Sequence, residues 1–214
     1  ADPQLNLFDG PLPFQSNDNW GGSNILSEAF AKVGAFPFPT NSLDSALLLN
    51  LSPDPYSAQV IGAGGAGGIT LVEIYDSDLT DTPAGRIVNV SARAQVGSGN
   101  NVLIAGFIIS GSSPMRVLIR AVGPGLTRYN LTNAIPDPQV ALYKDSTLLT
   151  QNDDWGGTTI LANAFAQVGA FPLSSPTSKD AALIATLQPG LYTAQVSGVN
   201  GSSGVALVEI YELP

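Results

Sequence analysis

The chain contains no cysteine and no histidine among its 214 residues. The first absence excludes disulfides and thiolate metal sites, and the second removes the commonest general base and metal ligand. No serine stands in a Gly-x-Ser-x-Gly motif, and nothing in the sequence brings two carboxylates together in a cleft, as glycoside hydrolysis requires. We therefore predict that the protein is not an enzyme and that it needs no cofactor.

Charge is also scarce, since charged residues make up 12% of the chain and the formal net charge is −9. An acidic chain is repelled by phosphate backbones and anionic lipid surfaces, so we expect neither nucleic acid nor a membrane surface as a partner. The longest apolar run, residues 102–109, is strand-sized and far shorter than the ~20 residues of a spanning helix. Low charge with much glycine and threonine is common in extracellular β-proteins, which predicts a secreted or cell-surface protein.

The few charges are segregated along the chain. Residues 1–81 contain ten acidic residues and one lysine, residues 82–136 contain five arginines and no acid, and residues 137–214 contain seven acids and two lysines. We call residues 86–126 the central segment. Opposite charges attract, so this basic stretch is expected to contact an acidic one, in its own chain or in a neighbouring molecule.

Three arginines of the central segment, Arg93, Arg116 and Arg120, are the predicted contact residues. The alternative is a solvated strand face with local ion pairs. The lack of acids in the same stretch, together with their concentration on both sides, favours contact with an acidic partner.

The sequence on the two sides of the central segment is one module that occurs twice. The first arm (residues 1–76) and the second arm (residues 127–214) share their apolar positions, their turns and one tryptophan. The offset between the copies is 135 residues at first and 136 residues from Asp44 onward. Repetition of this kind predicts that the two arms fold alike.

Each arm has the patterns of one short helix and several strands. Apolar residues at three- and four-residue steps predict the helix, with Ser23 or Thr158 as N-cap. Alternating apolar residues predict strands in the first arm and the central segment at residues 5–8, 44–51, 56–62, 69–75, 87–96, 102–110 and 115–122.

Residues 56–62 and 69–75 flank a glycine-rich loop and predict a hairpin. That loop has Gly-x-Gly-x-x-Gly spacing, but a strand is expected after it, so we predict a hairpin loop and no dinucleotide site.

The order of motifs resembles a known kind of module. The run Leu-Ile-Arg-Ala-Val-Gly-Pro-Gly-Leu, followed by Asp-Pro-Gln, Asn-Asp-Asp-Trp-Gly-Gly and Ala-Leu-Val-Glu-Ile-Tyr, resembles a repeat of large secreted and surface proteins of environmental bacteria. Each arm is also similar to the bacterial pre-peptidase C-terminal β-sandwich domain. These resemblances imply secretion and an all-β sandwich, and they assign no chemistry. In the repeat module a central segment precedes each arm, whereas here the first arm has none before it.

We therefore predict an all-β protein with two tandem β-sandwich domains of jelly-roll-like type, each with one short helix. Residues 1–76 would form an incomplete sandwich that lacks its N-terminal strands, and residues 77–85 a linker. The complete sandwich would span residues 86–214, with the central segment as its opening strands. A sandwich that lacks strands exposes edges and an apolar face, which favour pairing with another chain.

Two turns could bind calcium through hard oxygen ligands from Asn17, Asp18, Asp153 and Asp154. The alternative is an Asx turn before the helix, with the carboxylates near its positive N-terminus. Only one of the two turns has two carboxylates, which favours the alternative.

Trp20 and Trp155 could stack on sugars, or they could be packing residues beside the helix. Large aromatic side chains are usually well buried, which favours packing.

The first functional hypothesis is a secreted structural protein that self-assembles through strand and edge complementation into an extracellular filament or surface layer. Its partner would be further copies of itself. The second hypothesis is an adhesin or a carbohydrate-binding accessory module of a larger secreted protein, with glycans as partners.

Overall fold

The computed structural model describes residues 2–78, 85–97 and 99–214. The β-strands are β1 (Pro3–Asp9), β2 (Leu12–Asn17), β3 (Tyr56–Gly62), β4 (Asn89–Val96), β5 (Leu103–Ile109), β6 (Met115–Val122), β7 (Pro138–Lys144), β8 (Thr147–Asn152), β9 (Ala181–Leu187), β10 (Gly190–Gly198) and β11 (Gly204–Leu213), and the α-helices are α1 (Asn24–Val33) and α2 (Thr159–Gln167). Neither of these described helices has the length and apolar character needed to cross a membrane.

The chain divides into two compact units, Ala1–Ile87 and Val88–Pro214. The linker predicted at residues 77–85 lies largely outside the described part of the chain, because residues 79–84 are not described.

The second unit is a β-sandwich of two antiparallel four-stranded sheets. One sheet has the strand order β5-β10-β7-β8 and the other the order β4-β11-β6-β9. Alternate residues of a strand point to opposite faces, and the inward-facing apolar side chains form a core between the sheets. Val140 and Val196 from the first sheet and Ile119 and Val208 from the second are buried there. The predicted all-β sandwich fold is confirmed.

The strands of the central segment belong to both sheets. β4 and β6 lie on either side of β11, while β5 lies beside β10 at the edge of the other sheet. β6 also pairs with β9, so that Ile119 stands opposite Ile210 on one side and Leu183 on the other. β6 is therefore the strand that joins β9 to β11 within their sheet.

A second apolar cluster covers the outer face of the β4-β11-β6-β9 sheet. Leu118 of β6 packs there with Trp155 and with Leu161 and Phe165 of α2. Thr158 is the N-cap of α2, and its Oγ1 accepts the backbone N–H of Leu161, which satisfies one of the free donors of the first turn. Because the helix covers this face, β6 is buried on both sides.

The first unit has a single antiparallel sheet of order β2-β1-β3, which repeats the order β8-β7-β10 of the second unit. The short helix is present as predicted, with Ser23 as its N-cap. Trp20 is the one buried residue among residues 2–78. The described part of this unit therefore has one sheet of a sandwich and little enclosed core.

Two strands predicted for the first arm, at residues 44–51 and 69–75, are not strands in the described structure. Their copies in the second arm are β9 and β11, which are held in their sheet by β6 and β4. The apolar alternation is the same in both arms. A strand, however, also needs a paired neighbour for its N–H and C=O groups, and these two segments have none among the described residues.

The predicted hairpin across the glycine-rich loop is wrong. In the second arm β10 and β11 belong to different sheets, and a 3₁₀ turn at Val199–Gly201 lies between them. The first arm has the corresponding 3₁₀ turn at Ala63–Gly65. A Cβ on Gly62 would lie 1.9 Å from the carbonyl oxygen of Ala66, so the tight turn requires glycine there. No α-helix begins directly after this loop, at residues 66–78, which excludes the dinucleotide motif.

Sequence analysis also missed β2 and β8. These short strands pair with β1 and β7 through tight turns, and each pairing contains a register shift. Their residues are mostly exposed and polar, so they lack the apolar alternation that indicates a strand.

Candidate functional site

Arg120 of β6 is fully buried on the outer face of its sheet. The guanidinium carbon lies between the rings of Phe165 and Phe171, at 4.5 and 4.4 Å from their centroids. Nη1 donates a hydrogen bond to the carbonyl oxygen of Phe171 at 2.8 Å. Nε lies 3.1 Å from Oε2 of Glu209, in an ion pair rather than a well-aligned hydrogen bond. Two aromatic rings and one carboxylate therefore surround the charge.

Burial and the carboxylate change the pKa of Arg120 in opposite directions. Loss of hydration lowers the pKa, while the negative charge of Glu209 raises it. The hydroxyl of Tyr211 donates to Oε1 of Glu209 at 2.7 Å. Burial first, and the adjacent carboxylate second, raise the pKa of Tyr211, so its hydroxyl keeps its proton. Since a guanidinium is not deprotonated in proteins, the site is a buried ion pair.

The structure corrects the prediction that Arg120 contacts another molecule. Its side chain is inaccessible, and its acidic partner Glu209 is the directly opposite residue on β11 of the same sheet. Arg93 and Arg116 are exposed and remain predicted contact residues. Arg116 and Arg120 are four residues apart on β6 and so lie on one face of the strand, but the sequence alone does not show that α2 covers the Arg120 end of that face.

The loop after β6 is held by a second buried charge, that of Asp180. Its Oδ1 accepts the backbone N–H groups of Gly123 at 2.8 Å and Gly125 at 3.0 Å, and the hydroxyl of Ser178 donates to Oδ2. A Cβ on Gly123 would lie 2.2 Å from the carbonyl oxygen of Ile135. Glycine therefore allows the Gly-Pro-Gly backbone to reach the carboxylate.

The first arm contains a counterpart of each of these partner residues. By the repeat offset, the copies of Phe165, Phe171, Asp180, Glu209 and Tyr211 are Phe30, Phe36, Asp44, Glu73 and Tyr75. Local contacts are also repeated, because Tyr75 donates to Oε1 of Glu73 at 3.0 Å and Ser42 donates to Asp44. Residues 1–81 contain no arginine. The first arm thus has the partners of the buried arginine without the strand that carries it.

The two copies differ most in burial. Val208 of β11 is 1% exposed, whereas its counterpart Val72 is 48% exposed. Ile210 is 9% exposed, whereas Ile74 is 57% exposed. Residues 69–75 therefore have the apolar pattern of a core strand on a segment that the described residues leave uncovered.

The tryptophans are packing residues in both units. Trp20 and Trp155 are each 7% exposed. Their Nε1–H groups donate to the carbonyl oxygens of Pro39 at 3.0 Å and Ser175 at 3.1 Å. Neither ring presents a face on which a sugar could stack, so the structure shows the packing role that the sequence favoured and not the stacking role.

The predicted calcium ligands do not form one kind of site. In the first arm Oδ1 of Asn17 accepts the backbone N–H of Ala46 at 3.0 Å, so this side chain connects the end of β2 to the segment of residues 44–51. In the second arm Asp153 and Asp154 lie with Asp137, with one oxygen of each within 4.8 Å of the others, the one such group among the residues described. Asp137 was not predicted, because it precedes β7 and is distant in sequence.

Lys179 is the cation of this carboxylate cluster. Its Nζ lies 2.9 Å from Oδ2 of Asp154 and 4.0 Å from Oδ2 of Asp137. The hydrogen bond to Asp154, followed by the charge of Asp137, raises the pKa of Lys179. Burial, followed by the charges of Asp137 and Asp154, raises the pKa of Asp153. Three acids and one lysine leave excess negative charge, which suits a hard cation.

The chain is similar to the pre-peptidase C-terminal domain of collagenase from Bacillus anthracis. The sequence identity is 10% and the TM-score is 0.36, over 57% of this chain and 89% of that chain. No protein-family model matches the sequence, and no curated protein matches it.

Proposed function

We propose that the protein is a secreted structural β-protein that self-assembles through strand and edge complementation into an extracellular filament or surface layer. The first arm carries this proposal, because it has the apolar sequence of a complete arm and forms one of its two sheets. Ile69, Leu71 and Ile74 are 94%, 70% and 57% exposed. Contiguous exposed apolar residues are typical of surfaces that associate.

The second unit supplies a matching edge. β5 is an edge strand of seven residues without a charge, Leu-Ile-Ala-Gly-Phe-Ile-Ile. Ile104 and Ile108 on it are 57% and 63% exposed, and Leu191, opposite Ile108 on β10, is 60% exposed. Natural proteins usually protect such edges with charges, proline or a covering loop, because they pair readily with other chains.

The two open edges correspond to each other in the repeat. β3 is the first-arm copy of β10, and β10 has β5 as its second neighbour. β5 of one molecule therefore fits as the next strand beside β3 of another molecule, while it keeps its own partner β10. This head-to-tail contact uses different surfaces on the two molecules, and such contacts form filaments when they do not close into rings. The central segment of one molecule can then supply a strand both to its own second arm and to the first arm of another molecule.

The second hypothesis is an adhesin or a carbohydrate-binding accessory module of a larger secreted protein. Trp20 and Trp155 do not support sugar binding, because both are buried.

Assembly can be tested on the intact chain by light scattering and electron microscopy. We expect concentration-dependent polymers. Ile108→Lys should abolish them, because a lysine on an edge strand opposes pairing with another chain. The matched control is Ile160→Lys, where the isoleucine is 74% exposed on α2 rather than on an edge strand; this variant should assemble normally. A chain that stays monomeric at all concentrations and salt conditions would refute the proposal.

A further inference from the structure

We infer that the first unit is a receptor for one kind of strand, an extended segment of the β6 type with the sequence Ile-Arg-Ala-Val-Gly-Pro-Gly. Its arginine would enter between Phe30 and Phe36 and pair with Glu73, and its glycine N–H groups would bind Asp44. The inference rests on the proposed function. Pairing beside β3 extends the sheet that the first unit already has, and the strand inferred here would complete its second sheet.

The position of the incoming strand follows from the second unit. There β6 lies between β9 and β11 and pairs with both. The first-arm copies of β9 and β11 are residues 44–51 and 69–75, which are not strands in the described structure. A single strand inserted between these two segments would therefore provide both with a hydrogen-bonding neighbour and would cover their apolar residues.

The charge of Glu73 selects an arginine in that strand. In the second unit the equivalent carboxylate is buried and is neutralised by Arg120. A purely apolar strand at this place would bury Glu73 without a counter-charge, which is strongly unfavourable. Tyr75 already donates to Glu73, as Tyr211 does to Glu209, so the carboxylate is arranged before the strand arrives. A strand without an arginine is disfavoured because it leaves the charge of Glu73 buried and unpaired, whereas a strand with an arginine neutralises that charge.

Asp44 provides the second point of recognition. The backbone N–H of Trp20 donates to the carbonyl oxygen of Asp44 at 2.8 Å, and that of Trp155 donates to Asp180 at 2.9 Å. The backbone around the two aspartates is thus held in the same way. Asp180 accepts two glycine N–H groups of the Gly-Pro-Gly loop, and Asp44 can accept the same pair.

The residue that packs beside the two phenylalanines differs between the arms. Phe38 stands where the second arm has Leu173. Its ring centroid lies 5.2 Å from that of Phe30 and 5.6 Å from that of Phe36. Phe38 is half-buried, and it has to turn aside before a guanidinium can stack between the other two rings.

The strand that binds the first unit would have the sequence of the central segment and would not already be paired within a β-sandwich of its own. In the structure β6 of this chain is fully used in the second unit. The test therefore uses a synthetic peptide of residues 114–126, added to the intact protein. Hydrogen exchange locates the peptide, and calorimetry measures its affinity.

We expect the peptide to slow exchange at residues 44–51 and 69–75. The peptide with Arg120→Leu should bind at least tenfold more weakly. The Glu73→Gln protein should bind the arginine peptide at least tenfold more weakly than the unchanged protein does, and should discriminate little between the two peptides. Glu28→Gln is the matched control, because Glu28 is an exposed acid on α1, and this protein should bind like the original.

Equal affinity of the two peptides for the unchanged protein would overturn recognition through arginine. Protection of the second unit in place of the first, or no binding of either peptide, would overturn the receptor itself. Light scattering without peptide decides self-assembly independently, so failure of this inference is distinguishable from failure of the proposed function.

Discussion

Arg120 and Glu209 stand directly opposite each other on β6 and β11, and their side chains are 0% and 6% exposed. A buried ion pair is costly to desolvate, so its net contribution to stability is small. It does specify register, because a shift of one residue would move Arg120 from the α2 face to the apolar core between the sheets. The pair therefore identifies β6 as the strand that belongs beside β11.

Removal of one member of this pair should be more costly than removal of both. Arg120→Met leaves Glu209 buried without a counter-charge, and we expect the free energy of unfolding of the second unit to fall by about 3–5 kcal/mol. Arg120→Met with Glu209→Gln should recover part of this loss. Denaturant titration can follow Trp155 fluorescence in a Trp20→Phe background. Equal losses in the single and double variants would show that the two side chains are not coupled.

The two equivalent aspartates should respond differently to the same substitution. Asp180→Asn loses charge-assisted hydrogen bonds from two glycine N–H groups, each worth about 1.5–3 kcal/mol, and leaves one of them facing an amide. We expect the second unit to lose about 3 kcal/mol. Asp44→Asn, followed through Trp20 fluorescence in a Trp155→Phe background, should cost the first unit less than about 1 kcal/mol, because Asp44 accepts from the Ser42 hydroxyl and from no glycine loop in the described structure. Equal costs would indicate that the first unit already holds such a loop.

Sequence patterns predicted the elements whose signal is local, such as the apolar alternation of a strand or the hydroxyl of a helix cap. The strand bounds predicted for the central segment, 87–96, 102–110 and 115–122, differ from those of β4, β5 and β6 by at most two residues. Both helix caps were also predicted, because capping depends on a hydroxyl only three residues from its donor.

What the sequence could not predict depends on distant partners. Residues 69–75 and β11 have nearly the same local pattern, and only the presence of β4 and β6 distinguishes a strand from an unpaired segment. The burial of Arg120 depends on α2 and on Phe171, which are over 35 residues away. The repeat itself could have revealed this site, since its two phenylalanines, glutamate and tyrosine occur in both arms.

Substitution of the equivalent valines Val208 and Val72 tests whether residues 69–75 of the first unit are packed. Val208→Ala removes two methyl groups from a core position that is 1% exposed, and we expect a loss of about 2 kcal/mol in the second unit. Val72→Ala at 48% exposure should cost less than about 0.5 kcal/mol in the monomer. With the peptide of residues 114–126 bound, which would cover residues 69–75, the cost of Val72→Ala should rise. A large cost in the monomer would mean that this segment is already packed.

The raised pKa of Asp153 predicts a pH effect on the second unit. A folded-state pKa above the unfolded value means that the folded state binds the proton more tightly. The carboxyl group of Asp153 therefore contributes most to stability below the ordinary aspartate pKa. That contribution is lost as pH rises through the raised pKa. Asp153→Asn should therefore increase the free energy of unfolding at pH 7 and have little effect at pH 3. Asp54→Asn, at an exposed position of the first unit, is the control. No gain at pH 7 would show that the three carboxylates do not repel one another.

Calcium binding can be tested through the lysine that neutralises the cluster. Lys179 Nζ lies near Asp154 and Asp137, where it competes with any bound cation. Lys179→Met leaves three clustered carboxylates without their cation, so millimolar calcium should raise the melting temperature of this variant more than that of the unchanged protein. Magnesium should have a smaller effect, because it requires octahedral geometry and keeps its water. If calcium and a chelator give the same melting temperature in both proteins, Asp153 and Asp154 are turn residues and not ligands.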